Sequence, residues 1–337
     1  MPPPLTASGY IKKDVYESVD QAMLTQDLER SCCLVVELAC TANEGGALIA
    51  FLVDTYARWY VSSNLWTVRR LAQLLASLDN RSPAKMRALP HDPQARRDLC
   101  EAVLLIATQR RRTQPRCWLR ASPDGKKTGE DAVRRLPAAL DMRDHDRAVA
   151  LVGEVLEDDR KDALIPDLPE YRPLSKVPGA TKARPDLAWL AWRVLQARAE
   201  GGKNDTTGVC EMVGHLLDLY SRRYNQTRRE ARGNLLCYAA LAVARGRVKD
   251  SPSSATHEAL LGQAHACIDA VYEEVLGPDP EAERVRYLQY VDTTFDDALR
   301  CELADERRDK DQDTMSVKRV IVVRDRNVSP AAAASVS

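Results

Sequence analysis

The sequence predicts an all-α protein built from two tandem helical modules, and three observations carry that expectation. Apolar residues recur at helical spacing through most of the 337 residues, strand-like alternation is nearly absent, and one seven-residue pattern occurs twice. At this length, 45% hydrophobic content supports a sizeable buried core.

The helices follow in order. Val15, Val19 and Met23 mark the face of a first helix, and Leu28, Cys32, Val35 and Ala39 that of a second. After the Glu44-Gly45-Gly46 break, Leu48 to Val61 forms a third. Asn64 reads as the N-cap of a fourth, which runs through Leu65, Val68, Leu71 and Leu75. Asp92-Pro93 opens a fifth, because Asp caps and Pro fits the first helical turn; its apolar line is Leu99, Val103 and Ile106. From Arg110 to about Leu136 the sequence turns basic and turn-rich. A short helix near 143–157 precedes the proline-spaced stretch IPDLPEYRPLSKVPGATKARP. Helices resume at Pro185 and continue at about 205–224, 227–245 and 254–276, with stops at Gly201-Gly202, Tyr224-Asn225, Gly246 and Gly277-Pro278. Asp279-Pro280 starts a last helix with a charged end. The domains expected are a first helical module at 1–110, a basic, proline-containing connector with one short helix at 111–184, and a second module at 185–276. A C-terminal helix at 277–312 and a strand-like segment with a disordered tail at 313–337 complete the chain. The strand-like run is VKRVIVV, Val317 to Val323.

The repeat is the most informative feature. Asp54-Thr-Tyr-Ala-Arg-Trp-Tyr60 reappears as Asp218-Leu-Tyr-Ser-Arg-Arg-Tyr224, each after an apolar pair, an Asp-Leu helix start and a Glu-Gly-Gly break. Asp54 and Arg58 are four apart, as are Asp218 and Arg222, so each helix has the spacing for an ion pair. Tyr56 with Tyr60 and Tyr220 with Tyr224 share that spacing, so a tyrosine ladder runs beside it. As a functional feature, these eight residues read as a repeated docking surface for a partner or for nucleic-acid bases. The alternative is rings in the core with Asp and Arg bracing the surface.

The run SCCLVVELAC, 31–40, is the nearest approach to chemistry. On a helix Cys33, Glu37 and Cys40 share one stripe while Cys32, Val35 and Ala39 share another, so the thiols do not converge. Zinc spacings of the CxxC or HxxxH kind are absent, and the run reads as a helix packed on nearly all sides. Glu37 then needs a partner, for which Arg30, Arg58 or Arg69 are the candidates for an ion pair. None of the phosphate-loop, dinucleotide, nucleophile-elbow or zinc-hydrolase motifs occurs, and the five histidines are scattered. The expectation is a non-enzyme with no cofactor and no metal.

Charge narrows the partners. With 49 basic and 49 acidic residues the chain has no net field to draw in nucleic acid or a membrane. Segment 81–135 is locally different, with 14 basic against 6 acidic residues. Within it Arg110, Arg111, Arg112, Arg116, Arg120, Lys126 and Lys127 surround Trp118, combining phosphate-seeking cations with a stacking ring. Without an apolar leader or a run of membrane-spanning length, and with nine cysteines in no regular framework, the chain is expected to be intracellular with reduced thiols.

The stretch Asp27-Leu-Glu-Arg-Ser-Cys-Cys-Leu-Val-Val-Glu-Leu-Ala, followed by a Gly-Gly break and another apolar helix, resembles the helical lid and collar modules of clamp-loader-type proteins. Similar stretches occur in uncharacterised helical proteins of large DNA viruses. The resemblance covers about fifty residues of each repeat and implies helical packing and an assembly role, without ATP use. Together these readings predict a non-enzymatic assembly or scaffold subunit with a protein partner, a viral origin being one source. The alternative is a nucleic-acid-binding accessory protein using 110–135.

Overall fold

The computed structural model describes residues 4–79, 89–109, 129–157, 187–201, 208–224 and 226–276. Among the described residues the protein is all-α, with eleven α-helices and no strand. In order these are α1 Lys12–Leu24, α2 Leu28–Cys40, α3 Gly45–Thr55, α4 Leu65–Asp79, α5 Pro93–Ala107 and α6 Gly129–Asp141. Then follow α7 His145–Glu157, α8 Leu187–Glu200, α9 Val209–Ser221, α10 Arg229–Arg245 and α11 Ala255–Leu276. A π-helical turn, Tyr56–Tyr60, extends α3. No helix among the described residues is long and apolar enough to cross a membrane. The basic cluster at 110–127, the proline-spaced stretch, the expected helix at 277–312 and VKRVIVV lie outside the described residues.

Several start and stop signals act as their chemistry requires. The Asp27 carboxylate accepts from the Arg30 amide at 3.1 Å, and that of Asp92 accepts from Gln94 and Ala95 at 3.0 and 3.2 Å, with Pro93 as first helical residue. Gly246, at φ 62°, closes α10 in the left-handed conformation that favours glycine. Asn64 departs from expectation. Its side chain caps no amide of α4; its amide nitrogen donates to the Ser251 carbonyl, and its oxygen accepts from the Ser251 amide, both at 2.9 Å.

Two features of the organisation were not expected. The stretch 129–141, read as connector, is a helix despite Pro137. Ala132, Val133, Leu136, Ala139 and Leu140 form a buried stripe, and its packing outweighs the roughly 3 kcal/mol that an interior proline costs. The chain also divides differently from a tandem pair: one compact unit comprises 1–48, 81–107 and 260–337, the other 49–80 and 108–259. The first copy of the repeat is therefore split between them, while the second lies wholly in the second unit. The reason is α4, whose buried face (Val68, Leu71, Ala72, Leu75) packs on α9, far along the chain. Periodicity specifies a face, not the helix that will cover it.

In the first unit α1, α2 and α5 pack on one another, with Val19, Leu38 and Val103 fully buried. The N-terminal residues are tied to α2, the Ala7 amide donating to Thr41 Oγ1 at 3.0 Å. In the second unit α6 and α7 form a helical hairpin through a short turn at 142–144. Helices α7, α8 and α9 all pack on α10, which is buried over most of its circumference (Leu235, Leu236, Cys237, Ala239, Ala240, Ala242, Ala244). Its small residues admit these neighbours closely, which makes α10 the axis of this unit.

Candidate functional site

The repeated motif is organised by α10. Arg232 is 0% exposed; its Nε donates to Asp54 at 2.7 Å, and one terminal nitrogen donates to the carbonyls of Tyr220, at 2.7 Å, and Arg222. Arg228 pairs with the other Asp54 oxygen. Asn234 donates to the Ala57 carbonyl at 3.0 Å, and Arg229 to that of Val155. One helix thus supplies donors to the carbonyl-rich ends of α7, α9 and the π-turn, where backbone oxygens lack helical partners. Burial lowers the Arg232 pKa, with the Asp54 carboxylate opposing it.

The two copies differ in consequence. In the second, Asp218 and Arg222 form the expected pair at 2.6 Å, and Tyr220 and Tyr224 stack with centroids 5.1 Å apart. In the first, Asp54 bonds Arg228 and Arg232, and Arg58 is exposed. The π-turn explains this, since i→i+5 bonding carries residue i+4 off the stripe of residue i. Tyr56, Tyr60 and Tyr220 are 0–2% exposed, so these rings are core groups and not a docking face. What remains accessible is Arg58, with Asp54, Asp218 and Tyr224 half-buried. Tyr224 also meets Trp189 edge-on at 5.3 Å, and Trp189 is itself half-buried over Tyr220. Beside them Arg223 is held at 2.5 Å by Asp79 with its backbone at φ 49°, a conformation costly for a non-glycine residue.

The cysteine-rich run belongs to the core of the first unit. Cys32 Sγ lies 3.9 Å from Cys100 Sγ, a contact that, with burial, raises the Cys32 pKa. Burial pushes the thiols of Cys33 and Cys40 up to about 12. Among the described residues no three His, Cys, Asp or Glu side chains are placed to hold a metal ion. Glu37 is 1% exposed, and its partner is not an arginine: the amide and hydroxyl of Ser8 donate to its two oxygens, both at 2.7 Å.

The second unit also contains a cavity of about 350 Å³. Ser62, Ser63, Met212, Leu241, Ala242 and the run Arg247 to Lys249 line it. Asn64, through its bonds to Ser251, and the Leu65 amide, donating to the Lys249 carbonyl at 2.7 Å, hold the Ser62 and Lys249 segments together. Tyr238 and Arg245 of α10 complete the lining.

No protein-family model, curated protein or solved structure matches the chain. Sequence reasoning missed the cavity. The run Arg245-Gly-Arg-Val-Lys249 was its one legible signal, three cations in five residues directly behind a helix stop. The serines brought to it by Asn64 leave no trace in local sequence.

Proposed function

We propose that the protein is a non-enzymatic assembly subunit that binds a protein partner through the Trp189 and Tyr224 rings. The observation carrying this reading is the ring cluster itself: two half-buried aromatic side chains backed by the buried rings of Tyr220 and Trp192 and flanked by Arg223. Tyr, Trp and Arg dominate the binding energy of protein interfaces, and side chains locked before association lose little freedom on binding. The resemblance of 27–39 to clamp-loader collar helices points the same way.

A photo-crosslinking amino acid at position 224 tests the reading in cells producing the full chain, with position 13 as an exposed control. A discrete adduct at 224, lost when Trp189→Ala is added, is the expected result. Its mass distinguishes a second copy from a different protein. Crosslinking at 224 no greater than at 13 overturns the proposal.

A further inference from the structure

The cavity between Ser62 and Lys249 goes beyond the partner reading and does not depend on it. Its lining carries three exposed cations, Arg245, Arg247 and Lys249, and none of them makes an ion pair with a described residue. The acids nearest in sequence to the lining, Glu211 and Asp250, are both bonded to Arg69 from outside it, at 2.5 and 3.2 Å. Three clustered cations that no described acid pairs repel one another, and a bound anion relieves that repulsion.

The shape of the cavity restricts the anion. At about 350 Å³ it is within the size range of small-molecule sites, and its lining sets the three cations beside the apolar side chains of Met212, Leu241 and Val248. A carboxylate offers two oxygens and a single charge. A phosphate monoester offers three oxygens and nearly two charges, the closer match to two guanidinium forks and an ammonium. The Asn64 clamp fixes the Ser62 and Lys249 segments beforehand, so little ordering is left for the ligand to induce.

We propose that this cavity binds a small phosphate monoester carrying a flat aromatic ring, with the phosphate on Arg245, Arg247 and Lys249 and the face of the ring against Met212, Leu241 and Val248. Isothermal titration of the full chain with AMP, adenosine, inorganic phosphate and a short single-stranded oligonucleotide tests it. AMP is expected to bind at least about tenfold more tightly than adenosine or inorganic phosphate, because only AMP occupies both parts of the cavity. Changing Arg247→Ala and Lys249→Ala together is expected to weaken AMP by at least about thirtyfold, since two charge-assisted contacts are lost. Both side chains are exposed, so the melting temperature should not move, and Lys13→Ala should bind AMP as the unaltered chain does. Absence of AMP binding, equal affinity for AMP and inorganic phosphate, or indifference to the double substitution overturns the proposal. An oligonucleotide that binds more than about tenfold tighter than AMP also overturns it, and assigns the cations to nucleic acid.

Discussion

Arg232 shows how a single residue can join distant parts of a chain. Its guanidinium is wholly buried, which is tolerable only because Asp54 supplies charge and the Tyr220 and Arg222 carbonyls supply acceptors. Glu37 solves the converse problem without a cation, through two donors from Ser8. The thiols follow the same rule: burial favours the neutral form and raises the pKa, and at Cys40 the charge of Arg96 opposes this without overcoming it. For Cys33 and Cys40, pushed up to about 12, roughly one molecule in ten thousand carries thiolate at pH 8, against about one in four for an ordinary thiol. Iodoacetamide at pH 8, followed site by site by mass spectrometry, should therefore modify exposed Cys267 at least about a hundredfold faster than Cys33 or Cys40. Comparable rates would show that these half-buried thiols are ionised. The sign for stability follows: these thiols stay protonated in the folded chain while unfolded ones ionise above about pH 8.5, so alkaline pH weakens the first unit.

At the level of elements, the signals read correctly were those whose chemistry is local. Asp27, Asp92 and Gly246 delimit helices because a side-chain oxygen or a left-handed glycine acts within one turn. Asn64 was misread because its side chain suits a distant backbone as well as a local one, and Ser251 is 187 residues away. Helix α6 was missed because Gly129 and Pro137 are breakers by propensity, whereas its apolar stripe decides the outcome through packing. The π-turn has no sequence signature, so the loss of the Asp54–Arg58 pair was not legible. Gly208 is the position where a glycine is needed. At φ 68°, an added Cβ would stand 2.7 Å from Leu65 Cδ2 and 3.2 Å from Val248 Cγ2. Gly208→Ala should destabilise the chain by about 1–3 kcal/mol in urea unfolding, through strain at positive φ and overpacking against the cavity lining. Gly214→Ala, where an added Cβ meets nothing within 4 Å, should not destabilise it. Equal effects would contradict the close approach.

Across the whole molecule, the repeated seven-residue pattern is plain in the sequence, and what its two copies bond to is not. Sequence similarity suggested two modules side by side. The structure instead distributes the first copy over two units and joins its motif to the second copy through α10. The fold class followed from periodicity alone; the partition depended on which faces meet, which a single sequence does not encode locally. The account turns on the bond between Asp54 and Arg232, 178 residues apart. A double-mutant cycle of Asp54→Asn and Arg232→Met, measured by denaturant unfolding of the full chain, tests it most directly. The double variant should lose about 2 kcal/mol less than the two single losses combined, the coupling of a buried charge pair in contact. Losses that add to within about 0.3 kcal/mol, as for residues that do not touch, would contradict it.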